Sequence, residues 1–358
     1  MQHPLRVGIL GATGAVGQKF IELLNGHPWF EITALVASER SAGKKYIDAA
    51  NWMAETPLPA NIAEMEVQSL SPDLDVDFVF SGLDASVAGE AEEALAKNGI
   101  PVISNARNHR MRSDVPLLVP EINSSHTALI EQQETFVETG GFIVTNPNCS
   151  TVGLVCSLKP LHDRFGLKRV MVTTMQALSG AGYPGVPSLD AVGNVVPYIG
   201  GEEDKLTTEP RKIFAELVDG KLEPIEVLIS AQCNRVPVVD GHLECVSVEL
   251  NTPAAPAEVR AAFEEYVSPI AEMDLPSAPS KLLHVFDEPN FPQPRKHARL
   301  ENGQSVSIGR VRECEVFDVK YVALVHNTVR GAAGGAILNA ELLVRQGYVK
   351  RKESAVHA

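Results

Sequence analysis

The stretch Leu5-Arg-Val-Gly-Ile-Leu10-Gly11-Ala-Thr13-Gly14-Ala15-Val16-Gly17 decides the fold of this chain. Its apolar start predicts a buried strand, and a glycine-rich turn follows. Val16, Phe20, Leu23 and Leu24 then fall on one face of a helix that ends near Gly26 and Pro28. Glycines let a backbone turn tightly and approach a pyrophosphate, whose charge the free N–H groups of the helix start can bind. The spacing is G-x-x-G-x-x-G rather than the commoner G-x-G-x-x-G, so the position between strand and helix carries more than the glycines do. A tight strand–helix turn without a ligand is the competing reading. Gly11, Thr13, Gly14, Ala15 and Val16 are the candidates for holding a dinucleotide.

Outward from this motif, residues 31–37, 75–83, 101–106 and 142–145 read as further buried strands, with an alanine-rich helix over 88–98. Apolar runs separated by helices indicate a mainly parallel sheet covered on both faces. The end of the second strand selects the cofactor. A carboxylate there holds the ribose hydroxyl of NAD, whereas this chain offers Ser38, Arg40 and Ser41, donors suited to the 2′-phosphate of NADP. Glu39 weakens that preference if its side chain points at the ribose.

The texture changes after Cys149. A helix is expected over 150–165, then longer alternating strands over 169–177, 225–236, 242–250 and 315–326. Strands with few helices between them indicate a mixed sheet in a second, α+β domain. The expected architecture is therefore α/β: a Rossmann-type domain over 1–148, completed by a returning segment at 327–350, and a catalytic and dimerisation domain over 149–326. The Pro-rich stretch 276–294 reads as a surface excursion, and 331–346 as a small-residue helix.

Composition narrows the chemistry. The 358 residues are 44% apolar and 21% charged, the balance of a soluble enzyme, and no apolar run is long enough for a membrane span. A net charge of −14 without a basic stripe argues against nucleic acid. No leader is expected ahead of the first strand, and five scattered cysteines fit neither a disulfide scaffold nor a metal site, so a reducing cytoplasm is expected. At most one or two of these thiols are expected to matter, and the rest read as small buried apolar residues.

Cys149 is the exception. It sits in Thr145-Asn-Pro-Asn148-Cys149-Ser-Thr151, after an apolar strand and at a helix start. The helix dipole there favours thiolate, and neighbouring N–H groups can hold an oxyanion. A nucleophile needs a base, and His242, at the head of a strand after the Asp240-Gly241 turn, is the candidate. His3, His27, His109, His162 and His357 read as surface or helix-end residues. Arg235, at the far end of the same turn, can clamp a carboxylate with two hydrogen bonds.

Taken together, Gly11–Gly17, Ser38–Gly43, Asn146–Thr151, Ser179–Gly185, Arg235–His242 and His326–Gly335 resemble the aspartate-semialdehyde dehydrogenase family, in the branch shared by archaea and fungi. The resemblance runs from Gly8 to about Tyr348. It implies NADPH-dependent reduction of L-aspartyl 4-phosphate to the semialdehyde, through a Cys149 thioester, in lysine, threonine, methionine and isoleucine biosynthesis. By position it makes His242 the acid/base and Gln176 the residue that positions the reacting group. Arg235 would hold the substrate α-carboxylate and Glu209 its amino group, while Lys212, Asn148 and Arg110 would bind phosphate. Ser179, Gly180 and Asn327 would lie by the nicotinamide. Glu202, Glu203, Arg107, Arg112 and Arg211 stand close enough to compete for the Glu209 and Arg110 roles. A homodimer or homotetramer is implied, and no metal.

Three other readings stand beside this one. Malonyl-CoA reductase shares the Gly11–Gly17 and Ser179–Gly185 patterns, but its substrate lacks an amino group. N-acetyl-glutamyl-phosphate reductase uses related chemistry and resembles the chain less around Cys149. A non-catalytic NADPH-binding regulator predicts loss of Cys149, His242 or Arg235, and all three are present.

Overall fold

A computed structural model describes residues 3–352. The chain divides into two compact units. One comprises residues up to Pro116, His126–Asn146 and the chain from Ala336; the other comprises Leu117–Ser125 and Pro147–Gly335. The chain thus crosses between units at Pro116, Ser125, Asn146 and Gly335, where sequence alone draws its boundaries at 148 and 327.

The first unit is built on six strands: β1 (Leu5–Leu10), β2 (Phe30–Val36), β3 (Val67–Gln68), β4 (Phe78–Ser81), β5 (Val102–Ser104) and β6 (Ile143–Thr145). All pair in parallel, in the order β3-β2-β1-β4-β5-β6. That order reverses between β1 and β4, the place where open parallel sheets bind ligands beyond their strand ends. The strands are nearly continuous runs of buried apolar residues because helices cover both faces. Phe20, on the helix Ala15–Leu24, stacks on Phe80 at 4.6 Å. Burying a ring of that size contributes roughly 1.5–3 kcal/mol. The alanine-rich helix runs over Ala85–Lys97, capped by Asp84, whose carboxylate accepts the Ser86 N–H at 2.9 Å. Its Ala88, Ala91 and Leu95 are buried. From Ala336 the returning chain ties into this unit through Asn339, which donates to Asn146 Oδ1 at 2.6 Å, and through Glu341, 2.9 Å from His27 Nε2.

The second unit carries β7 (Leu167–Gln176), a small hairpin of β8 (Glu216–Val218) and β9 (Lys221–Glu223), then β10 (Leu228–Arg235), β11 (His242–Leu250), β12 (Leu283–Phe286), β13 (Val306–Glu313) and β14 (Val319–Val325). The main sheet has the order β10-β7-β11-β14-β13-β12 and is mixed: the outer pairs are parallel and the inner pairs antiparallel. Period-2 alternation turns Val246 and Val248 of β11 to one face, where they join Val155, Leu158 and Leu161 of the helix Cys149–Phe165 in a single core. Under that helix lies a buried ion pair. Arg330 donates to both oxygens of Glu121 at 2.6 Å, and its Nη2 is 3.6 Å from Cys156 Sγ.

Several expectations are corrected. The Pro-rich stretch is not only an excursion, because its Leu283–Phe286 adds an edge strand parallel to β13. β13 itself and the helix Glu202–Ile213 went unread. His109 is buried, packed beside the carboxylate of Glu92 at 3.6 Å, and is no surface residue. Cys156 and Cys233 are buried as expected, but Cys245 is exposed and Cys314 half-buried.

Candidate active site

The topology of the second unit brings five chain segments to one end of its sheet. β7 and β10 run parallel, so their last residues, Gln176 and Arg235, stand side by side in register. β11 runs the opposite way, so its first residue, His242, lies at that same end, opposite Val325, the last residue of β14. Asn327 follows two residues later. The helix that begins at Cys149 completes the set.

His242 Nε2 lies 3.2 Å from Cys149 Sγ. The other ring nitrogen, Nδ1, accepts the Ala177 backbone N–H at 3.0 Å. A neutral imidazole has one donor and one acceptor nitrogen, so this contact puts the proton on Nε2 and aims it at the sulfur. Burial, the Arg235 guanidinium and His326 hold His242 down to about 3, which keeps the ring neutral across the physiological range.

Asn148 caps the Cys149 helix: its Oδ1 accepts the Ser150 N–H at 3.0 Å and lies 3.4 Å from the Thr151 N–H. Its backbone N–H donates to Glu209 at 2.8 Å, and its side-chain NH₂ reaches both oxygens of Glu202 at 2.8 and 3.0 Å. The donor that Asn148 was expected to offer phosphate is therefore engaged by a carboxylate. Arg235 Nη1 donates to Ala177 O at 2.6 Å. Burial pushes Arg235 below the usual guanidinium range, against the pull of Cys149 and then Glu202. Lys212 follows Glu209 by three residues on the same helix, and both are buried.

Two glycines lie tight against this packing. A Cβ on Gly180 would stand 2.9 Å from Arg235 Nη1 and 3.1 Å from His242 Cε1. One on Gly331 would stand 2.7 Å from Cys149 Cβ and 2.9 Å from its Cα. Ser179 accepts from Asn327 Nδ2 at 2.8 Å, while Asn327 Oδ1 takes the Gly241 N–H at 2.8 Å, so one amide ties the Ser179–Gly180 turn to the turn before His242.

Cys149, His242, Gln176, Arg235, Asn148, Glu209, Lys212, Ser179, Gly180 and Asn327 thus all belong to the second unit. Arg110 and the glycine-motif residues belong to the first. There Gly11 adopts φ +73°, and its absent side chain leaves room for Gly82 O, 2.7 Å from where a Cβ would be. Gly17 is packed harder still, since a Cβ there would stand 2.3 Å from the Gly11 carbonyl oxygen. Tyr46 OH and Gln18 Nε2 hold the carbonyls of Ala12 and Thr13 at 2.7 and 3.0 Å. The turn is thereby fixed with Gly14 as the residue preceding the helix Ala15–Leu24. Beyond β2, Ser38 and Arg40 are exposed and Ser41 half-exposed. Glu39 lies 3.4 Å from Ser69 Oγ, which gives its carboxylate a partner within the protein. This is a cradle that fits a dinucleotide with a phosphorylated ribose. Arg110 donates to Asn105 O at 2.7 Å and is mostly buried.

Glu202 and the Glu121–Arg330 pair escaped the reading by sequence. Glu202 stood there only as a neighbour of Glu209; its first place on a helix carries no periodic signal. Glu121 and Arg330 lie too far apart in the chain for any local pattern to join them.

Comparisons with known proteins give names to this arrangement. Residues 6–130 match the NAD binding domain of semialdehyde dehydrogenase, and residues 158–330 match its dimerisation domain. The chain is similar to aspartate-semialdehyde dehydrogenase of Archaeoglobus fulgidus, 49% identical over 96% of this chain and 99% of that one. It is 48% identical to the Schizosaccharomyces pombe enzyme of the same name, with the same coverage. Among solved structures, aspartate-semialdehyde dehydrogenase with NADP from Candida albicans superposes with a TM-score of 0.90 at 45% identity, covering 96% of this chain and 100% of that one.

Proposed function

The chain belongs to the aspartate-semialdehyde dehydrogenase family, and from that membership we propose that it reduces L-aspartyl 4-phosphate to L-aspartate 4-semialdehyde with NADPH, through a thioester on Cys149. The observation that carries the proposal is the 3.2 Å approach of His242 Nε2 to Cys149 Sγ at a capped helix start.

The residues divide the work by their chemistry. Arg235 clamps the substrate α-carboxylate, Glu209 takes its ammonium, and Lys212 with Arg110 receives phosphate. Cys149 attacks the acyl carbon and phosphate leaves, so a C–S bond replaces a C–O bond. The N–H groups at the start of the Cys149 helix meet the charge that gathers on the acyl oxygen. When bound, NADPH supplies the hydride that reduces the thioester. The resulting alkoxide collapses to the aldehyde and returns its electron pair to sulfur, where His242 Nε2–H is already aimed. Acting as a base in the oxidative direction requires the other tautomer, with Nδ1 protonated and the Ala177 contact given up. Gln176, 1% exposed at the end of β7, positions the reacting group.

Gly11, Thr13, Gly14, Ala15 and Val16 would hold the pyrophosphate and Ser38, Arg40 and Ser41 the 2′-phosphate, with Ser179, Gly180 and Asn327 at the nicotinamide. The matched dimerisation domain supports an oligomer as the working form; a homodimer or a homotetramer, in the cytoplasm, fits a biosynthetic enzyme of this family. Malonyl-CoA offers neither the amino group that Glu209 would take nor a phosphate leaving group on its acyl carbon for Lys212 and Arg110.

Phosphate-dependent reduction of NADP⁺ with L-aspartate 4-semialdehyde tests the proposal. Turnover that requires phosphate supports it. Its absence, with NADPH oxidation by malonyl-CoA instead, replaces the substrate and keeps the fold.

A further inference from the structure

We propose that Glu202 is a positioning residue of this site, a carboxylate that collects the side-chain amides of Asn148 and Gln176 and so fixes which end of each is turned to substrate. The proposal rests on the function proposed above for its effect on turnover, though not for its geometry.

Glu202 is the first residue of the helix Glu202–Ile213, preceded by Gly201 at φ +70°. It is 7% exposed. Every group that reaches its oxygens is a donor. Oε1 receives Asn148 Nδ2 at 3.0 Å and Lys205 Nζ at 2.7 Å; Oε2 receives Asn148 Nδ2 at 2.8 Å and Gln176 Nε2 at 3.4 Å. A nearly buried carboxylate is tolerated only when its lone pairs are met, and here Lys205, one turn along the same helix, supplies the compensating charge.

An amide side chain is symmetric in shape and opposite in chemistry at its two ends. Asn148 must turn Oδ1 to the helix start to accept the Ser150 N–H, and the Glu202 carboxylate makes the flipped arrangement unfavourable by taking the NH₂. Gln176 is constrained in the same way: its NH₂ lies between Glu202 Oε2 and Thr174 Oγ1, at 3.4 and 3.3 Å, which leaves its carbonyl oxygen for another partner. Asn148 adjoins the nucleophile in sequence, and Gln176 stands at the sheet end beside Arg235. The charge of Glu202 also acts on Arg235. One carboxylate therefore sets the orientation of two polar groups and biases a third, without itself touching the reacting atoms.

The consequence is that Glu202→Gln, ordinarily a mild change, is not mild here. Its new NH₂ must face Asn148 together with either Lys205 or Gln176, all of them donors. The complementary change, Asn148→Asp, keeps the cap acceptor and sets an oxygen against the carboxylate. Combining them restores a donor opposite an acceptor.

The test uses the full chain, with four proteins: parent, Glu202→Gln, Asn148→Asp and the double variant. Glu202→Gln is expected to lower kcat by at least about tenfold, with KM for the semialdehyde and NADP⁺ affinity changed by less than about threefold. The double variant is expected to recover about tenfold over Asn148→Asp alone. Side-chain amide signals of Asn148 and Gln176, read by NMR on ¹⁵N-labelled protein, are expected to show slow exchange with water in the parent and to lose it in Glu202→Gln. Activity of Glu202→Gln within about twofold of the parent, or losses that simply multiply in the double variant, would overturn the positioning role. Unchanged amide signals in Glu202→Gln would overturn it whatever the activity. An inactive parent would instead sink the proposed function, and the amide signals would still decide the role of Glu202.

Discussion

His242 and Cys149 are joined through a ring whose protonation is set from behind: Nδ1 accepts the Ala177 N–H at 3.0 Å, and Nε2 faces Sγ at 3.2 Å. The histidine is thus presented to the sulfur as a neutral N–H donor. Its alignment comes from two strands, because Ala177 follows the last residue of β7 and His242 opens β11.

Removing that donor should be expensive. His242→Ala is expected to lower kcat by about 10²–10⁴-fold. His242→Gln, which keeps an N–H of similar reach, should retain more activity than the alanine variant. Because the ring is held down to about 3, against an ordinary value of 6.5, kcat/KM should show no break near pH 6.5 from this residue. The linked effect on stability has a definite sign. The folded state favours the neutral ring, so the contribution is complete above pH 6.5 and is lost as pH falls from there toward about 3. Denaturant titrations of parent and His242→Gln across that window would read it.

Arg235→Lys tests the carboxylate clamp. A lysine keeps the charge and loses the planar pair of donors. The expected cost is about 2 kcal/mol in kcat/KM, roughly thirtyfold. Steady-state kinetics with the semialdehyde should place most of the loss in KM. A variant as good as the parent would remove Arg235 from substrate binding.

Glu244 is on the same face of β11 as His242, fully buried, with neither side-chain oxygen meeting a hydrogen-bond partner among the described residues. Burial drives its carboxyl well above the ordinary carboxylate range. A raised value means that its contribution is fully present below about pH 4.5 and is lost as pH rises through the folded value. Glu244→Gln should therefore match the parent at pH 4.5 and exceed its Tm by a growing margin as pH rises above that. A Tm difference that does not vary with pH would contradict a neutral, buried Glu244.

Gly331→Ala should damage the site with little loss of fold elsewhere. The added methyl meets the Cα and Cβ of Cys149, backbone and near-backbone atoms that cannot swing aside. Overpacking of this kind costs about 1–3 kcal/mol. Alkylation of Cys149 by iodoacetamide and kcat should both fall, and thermal melting should report the stability cost.

The nucleotide-binding half was legible because its physics is local. Each buried parallel strand is a short apolar run, and the Gly11–Gly17 turn announces itself between β1 and its helix. Cys149, Arg235 and His242 stood out for the same reason, each in an unusual local setting. What stayed hidden depends on distant partners. The edge strand Leu283–Phe286 is four residues long among prolines, too short for a periodic signal. The helix Glu202–Ile213 is mostly polar, so no apolar stripe marks it. Arg330 reads as an ordinary charge until the fold brings Glu121 to it at 2.6 Å. His109 reads as solvent-facing until Glu92 and its own burial are seen.

The most direct test of covalent catalysis at Cys149 omits phosphate. The protein is mixed with L-aspartate 4-semialdehyde and NADP⁺, NADPH is followed by absorbance, and the product is digested for mass spectrometry. With no phosphate to release the acyl group, a burst of about one NADPH per chain should appear and stop, with an aspartyl adduct on the Cys149 peptide and neither signal in Cys149→Ala. Sustained turnover without phosphate, or a burst that survives Cys149→Ala, would contradict a thioester on this residue.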